Sequence, residues 1–166
     1  MAMFKLEAGA RYGAWTGAEI SEFLHGAVMP MRLGFNSKRG LLVVPLWFCF
    51  ADSALVACAV RESLVIRSLG ADPEVAFDVS TNDLPYRGIR GNGEARCVHE
   101  VGSQALQDVL DKYIQDDDHS LARWLSSRAH TEVAIVVEPA WITSWDFSDR
   151  MQGLAPLRQR KPAQPI

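Results

Sequence analysis

Leu41-Leu-Val-Val-Pro-Leu-Trp-Phe-Cys-Phe50 is the most apolar stretch of the chain. Its apolarity is continuous rather than alternating, which predicts a strand covered on both faces. Pro45, near its middle, has no N–H to give to a ladder, so the strand should be an edge or carry a bulge there. A strand that is covered on both sides yet broken in its pairing is expected where a barrel wall meets a subunit interface. This predicts a homodimer formed through Leu41–Phe50.

The neighbouring segments read as further strands. Ala51-Asp-Ser-Ala54 is a hairpin turn into Leu55–Val60, and Met31–Phe35 precedes the apolar stretch through the turn Asn36-Ser-Lys-Arg-Gly40. Val75, Phe77 and Val79 alternate with polar or small residues. From Arg87 to Cys97 the alternation sharpens, with Ile89, Gly91, Gly93, Ala95 and Cys97 on one face and Arg90, Asn92, Glu94 and Arg96 on the other. Small residues on an inward face suit a tightly curved wall, because glycine lets a neighbouring backbone approach. Thr131–Val137 and Trp141–Phe147 are read as two closing strands.

Helices are expected in four places. Thr16 and Glu19 form a capping box ahead of Ile20, Phe23 and Leu24. Glu62–Leu69 reads as a short helix stopped by Gly70. Ser103–Gln115 has the apolar stripe Leu106, Val109, Leu110, Tyr113 and Ile114, and Ser120–Arg128 follows. Six or seven strands without a βαβ rhythm give a mainly β (α+β) class, an antiparallel barrel with flanking helices. Residues 1–150 form one domain and 151–166 a proline-rich C-terminal tail.

Composition narrows the function. The chain has 166 residues, a formal net charge of −3 and 22% charged residues, an ordinary globular balance that gives no pull toward nucleic acid or anionic membrane. No apolar run approaches the roughly 18 residues of a membrane span, and the N-terminus does not read as a signal peptide; the cytoplasm is the expected compartment. Cys49, Cys58 and Cys97 lie in apolar surroundings without ligand spacing, so no metal site is expected. There is no GxSxG elbow, Walker loop or HExxH. Gly88-Ile-Arg-Gly-Asn-Gly93 lies inside an alternating strand, not at a strand-to-helix turn, and is no nucleotide loop.

What remains is a set of motifs in order: Val44-Pro-Leu-Trp-Phe48, Arg61-Glu-Ser63, Arg67-Ser-Leu69, Asp72-Pro73, Pro85-Tyr-Arg-Gly88, Gly93-Glu-Ala95 and Ser144-Trp-Asp-Phe147. Together they resemble the pyridoxamine 5′-phosphate oxidase-like, FMN-binding split β-barrel family over roughly residues 16–150. The resemblance implies an obligate dimer with a flavin between subunits, and an FMN- or deazaflavin-dependent oxidoreductase acting on a small organic substrate. The ring would lie against Pro45, Leu46 and Trp47, and the phosphate near Arg61, Ser63 and Arg67, with Arg87 as a further cation. One position departs from the pattern: Val65 stands where the family usually has a lysine. A phosphate dianion needs charge-assisted donors, and Arg61, Arg67, Arg87 and Arg90 are the guanidinium groups available to replace it. The alternatives are a non-catalytic carrier of flavin, haem or another planar molecule, or a barrel with an emptied site. Trp47, Trp141 and Trp145 fit either a cofactor contact or a core and interface role.

Overall fold

The computed structural model describes residues 5–114 and 120–154. A short hairpin, β1 (Arg11–Tyr12) and β2 (Trp15–Thr16), leads into α1 (Gly17–Gly26). The strands β3 (Met31–Ser37), β4 (Gly40–Leu46), β5 (Phe48–Ala51) and β6 (Ala54–Val60) follow. Next come α2 (Leu64–Leu69), β7 (Glu74–Ser80) and β8 (Arg87–Val98). Two helices, α3 (Gly102–Tyr113) and α4 (Ser120–Ser126), precede the last strand, β9 (Glu132–Asp146). No helix among the described residues is long and apolar enough to cross a membrane.

Seven strands form one antiparallel sheet in the order β4-β3-β7-β8-β9-β6-β5. Its inward residues converge on a single core: Leu33 and Phe35 of β3, Phe48 and Phe50 of β5, Leu55 of β6, Val75 and Phe77 of β7, Ile89 of β8, and Val133, Ile135 and Val137 of β9. A sheet whose two edge strands contribute to the same core is curled into a split barrel. Helix α1 closes it with Ile20 and Leu24, and α2 with Val65, Ile66 and Leu69. The Thr16–Glu19 capping box forms as the sequence implies, with the Glu19 carboxylate accepting from the Thr16 amide at 2.7 Å.

The Leu41–Phe50 stretch is not one strand. It divides at Trp47 into β4 and β5, which lie at opposite edges of the sheet. Pro45 therefore sits on an edge strand, as its missing donor requires. The outward side of the β5 half lies under α3, where Trp47 and Cys49 pack on a second cluster built around Leu106, Val109 and Leu110. Tyr113 anchors that cluster: its ring stacks on Trp47 at 5.0 Å and its hydroxyl donates to the Met29 carbonyl at 3.0 Å. The half-buried Lys112 donates to the carbonyls of Leu24 and Phe48, each at 3.1 Å, tying α1, β5 and α3 together. The outward side of the β4 half has no such cover among the described residues.

Two further expectations change. Helix α2 begins at Leu64, because the Ser63 hydroxyl caps it by accepting from the Ile66 amide. The two closing strands are one 15-residue strand, β9, kept continuous by a register shift opposite Asn92 and Gly93. Gly93 permits this shift, since a Cβ there would lie 2.0 Å from the Glu138 carbonyl oxygen. Most of the expected tail lies outside the described residues; before it, Met151 packs on the Pro85–Tyr86 corner, its sulfur accepting from the Tyr86 amide at 3.5 Å.

Candidate functional site

The outward face of the sheet from β4 to β9 is built in rows set by strand register. One row is Val43, Gly34, Ala76, Asn92 and Trp141. Beside it runs Pro45, Arg32, Asp78, Arg90 and Thr143. The first row is low in the middle, where Gly34 and Ala76 carry little or no side chain, and high at the ends. Val43 is 70% exposed and Trp141 51%, and Leu41, one pleat along β4, is 81% exposed. The result is a trough of about 480 Å³ bounded by Val43, Arg90 and Trp141. It opens into a second hollow of about 580 Å³ toward Leu41, Asn36 and Glu94.

Polar groups border the trough unequally. The Arg32 guanidinium is committed, donating to Asp78 at 3.0 Å, to Ser80 at 3.2 Å and to Asn82 at 2.6 Å. The exposed Arg90 lies 5.6 Å from the Trp145 ring centroid, a cation–π arrangement. A flat apolar floor with a guanidinium and the Asn92 amide at its margin suits a planar ring carrying acceptors at its edge.

The residues expected from the sequence do not converge on one point. Pro45 lies on the outward face beside Arg32, adjoining the trough. Leu46 points inward and packs against the barrel core. Trp47 lies under α3 against Tyr113. Arg61 is exposed at the end of β6, with its amide donating to the Thr131 carbonyl at 2.9 Å. Ser63 is the cap of α2. Arg67 is exposed on α2, donates to the Glu62 carbonyl and lines a separate cleft with Lys38 and Arg39. Arg87 is at the far end of β8 beside Asp146. There burial works against the Asp146 carboxylate, yet hydrogen bonds from Ser148 and Trp15 and the Arg87 charge hold it below the usual carboxylate range.

Val65, in the lysine position of the resemblance, is 6% exposed and belongs to the barrel core. The short α2 thus offers no ammonium at that point. The cysteines are free; burial pushes all three thiols up, Cys58 to about 12. That burial works against thiolate formation at neutral pH. No cluster of potential metal ligands occurs among the described residues. Sequence reading missed the trough's floor, because Gly34 and Ala76 carry no chemistry of their own. The signal was available in the outward alternation of β3, β7 and β8, once register aligned the small residues.

No family model matches the sequence, and no curated protein does. Solved structures do match in fold. A conserved hypothetical protein from Mycobacterium tuberculosis has a TM-score of 0.69 at 20% identity, over 86% of this chain and 90% of that one. An F420 reductase has a TM-score of 0.60 at 21% identity, over 74% and 94%. An FAD-binding protein from Mesorhizobium loti has a TM-score of 0.58 at 18% identity, over 78% and 92%.

Proposed function

On the fold this chain has, the split barrel of the pyridoxamine 5′-phosphate oxidase-like flavin-binding proteins, we propose that it is a flavin- or deazaflavin-dependent oxidoreductase. It acts as a homodimer on a small organic substrate. The observation that carries this reading is the uncovered, flat-floored trough between Val43 and Trp141, on a barrel similar to an F420 reductase and an FAD-binding protein. Val43 and Trp141 would border the ring on its apolar sides, and Asn92 and Arg90 would meet its polar edge. The flavin supplies the two-electron chemistry, and the protein supplies binding, orientation and exclusion of water. A site of this kind needs no catalytic acid or base from the chain.

The ring and the phosphate fit this structure differently. The trough suits the ring, whereas the lysine position near the Ser63 cap is filled by a core valine. This favours FMN or a deazaflavin held through arginine over the family's lysine arrangement. A second reading, a flavin or haem carrier without catalysis, has the same buried Val65 in its favour. An absorbance spectrum of the purified, cofactor-reconstituted protein tests both. Bands near about 370 and 450 nm indicate FMN, a single band near about 420 nm a deazaflavin, and a sharp Soret peak haem. A retained flavin that is reduced and reoxidised without turnover of any substrate supports the carrier. A protein that retains no chromophore after reconstitution overturns the flavin reading.

A further inference from the structure

The hollow beside the trough carries an unmatched pair of acids. Glu74 of β7 and Glu94 of β8 are direct cross-strand partners, and both are exposed. They line the hollow of about 580 Å³, which shares Gly34, Val43, Ala76 and Asn92 with the trough. Like charges directly opposite each other in a sheet are destabilising. On the next strand Glu138 stands opposite Glu94, and it has its cation: Arg96 donates to it through Nε at 3.1 Å and through Nη2 at 2.6 Å. The ion pairs among the described residues are Arg32–Asp78 and Arg96–Glu138, which leave Glu74 and Glu94 without a cation. The Asn36 amide at the rim is given to Asp72. The hollow's other wall is apolar, formed by Leu41, Leu42 and Val43 of β4.

The same chain carries the complement. Residues 155–166, which lie outside the described residues, read Ala-Pro-Leu-Arg-Gln-Arg-Lys-Pro-Ala-Gln-Pro-Ile: three cations, Arg158, Arg160 and Lys161, and no acid. Leu157 and Pro162 flank the cations with apolar surface to set against β4. The segment also starts within reach. The Met151 sulfur accepts from the Tyr86 amide and the Leu154 amide donates to the Met151 carbonyl at 3.1 Å, so the chain enters the segment beside the start of β8. Glu94 lies further along β8 from Arg87, about 23 Å away at the rise of a strand. An extended, proline-bearing chain advances about 3.1 Å per residue, which carries Arg160 and Lys161 about 19 and 22 Å from Leu154. A single exposed ion pair holds little. A tethered segment needs less, because it meets the hollow at an effective concentration of about millimolar.

We propose that this hollow is the docking site of the chain's own residues 155–166, with Arg160 and Lys161 on Glu94 and Glu74. The guanidinium and the ammonium relieve the opposed carboxylates, and Leu157 and Pro162 meet the apolar wall. Seated there, the segment is a strap along the trough, bordering its contents at the residues that the two concavities share. The docking holds with or without a flavin in the trough.

Zero-length carbodiimide coupling of the full chain, read by peptide mass spectrometry, tests the seating directly. The Lys161 amine couples to Glu94 or Glu74, and the yield falls as salt screens the pairs. Trypsin gives a second reading on the same protein. Cleavage after Arg158 and Arg160 is slow in wild type and about fivefold faster or more in the double variant Glu74→Gln, Glu94→Gln, the scale on which a few exposed pairs hold a tethered segment. The variant Glu22→Gln, Glu100→Gln, an equal charge change on exposed residues elsewhere, keeps the wild-type rate. Coupling is then repeated on an equilibrated, equal mixture of isotopically heavy and light protein. Links to the hollow wholly within one isotope support the proposal; mixed links give the hollow to the segment of a second copy and overturn it. Absence of a Lys161 link to either glutamate overturns it, as do equal cleavage rates in wild type and Glu74→Gln, Glu94→Gln. Should that variant alter association while cleavage stays unchanged, a second copy covers the hollow in place of the segment.

Discussion

Val65 and Glu132 show how a single buried position restricts chemistry. Val65 is in the barrel core at 6% exposure, so a lysine placed there, as in the family the sequence resembles, would not supply a phosphate donor. Val65→Lys would bury an ammonium among Ile66, Leu69 and the strand residues, a placement that shifts a lysine by several pKa units when it is tolerated at all. The expected cost is about 3 kcal/mol or more, a fall in melting temperature of roughly 6 °C or greater for a chain this long. An unchanged melting curve would put residue 65 outside the core. Glu132 is 8% exposed. Burial raises its carboxyl above the ordinary value, while the hydrogen bond with the Cys58 thiol and the Arg128 charge act the other way. The folded state therefore holds this proton more tightly than the unfolded chain does. Stability falls as pH rises from the ordinary glutamate pKa through the raised folded value. Glu132→Gln cannot ionise and keeps an acceptor for Cys58. Its melting temperature should match wild type near pH 4 and exceed it at pH 8; a gap that shrinks with rising pH would contradict the sign.

The glycines of β8 set the element scale. At Gly93 a Cβ would meet the Glu138 carbonyl oxygen at 2.0 Å and the Pro139 Cα at 2.9 Å, both backbone atoms of β9. Gly93→Ala must push the two strands apart at their register shift, and about 2–4 kcal/mol of destabilisation is expected in a denaturant melt. Gly34→Ala is the contrast: its nearest neighbour would be the Ala76 carbonyl oxygen at 3.5 Å, an ordinary contact, so stability should hold within about 0.5 kcal/mol. Small inward residues on β8 were legible from alternation alone, as were the edge position of Pro45 and the capping box at Thr16. The division of Leu41–Phe50 at Trp47 was not. Continuous apolarity reports cover on both faces without saying what covers each part. Here α3 covers β5, while the outward side of β4 is bare among the described residues. The site residues were less legible for a related reason. Pro45, Arg61, Arg67 and Arg87 are separated by the curl of the sheet.

At the scale of the whole molecule, the bare face of β4 to β9 must be either solvated or covered. Leu41, Val43 and Trp141 are 81%, 70% and 51% exposed on one sheet face. The face is five strands wide, about 19 Å at normal strand spacing. That is wider than one ring system requires and suits a second copy of the chain, with the ring enclosed at the join. Exposed apolar side chains gathered on one sheet face, with polar groups beside them, fit an association site. The variant that tests it has to act on this face and not on the core. Leu46→Glu does not qualify: Leu46 packs inward against the core, and a charge there would destabilise the barrel whether or not a dimer exists. Val43→Glu places the charge on the outward row, at a position 70% exposed among the described residues. Wild-type protein should scatter as a dimer at micromolar concentration. Val43→Glu should weaken association by about 100-fold or more, as expected for a carboxylate desolvated without a partner, with an unchanged far-UV spectrum. A wild-type monomer at that concentration, or a Val43→Glu dimer as tight as wild type, would place the subunit contact elsewhere and leave the trough open to solvent.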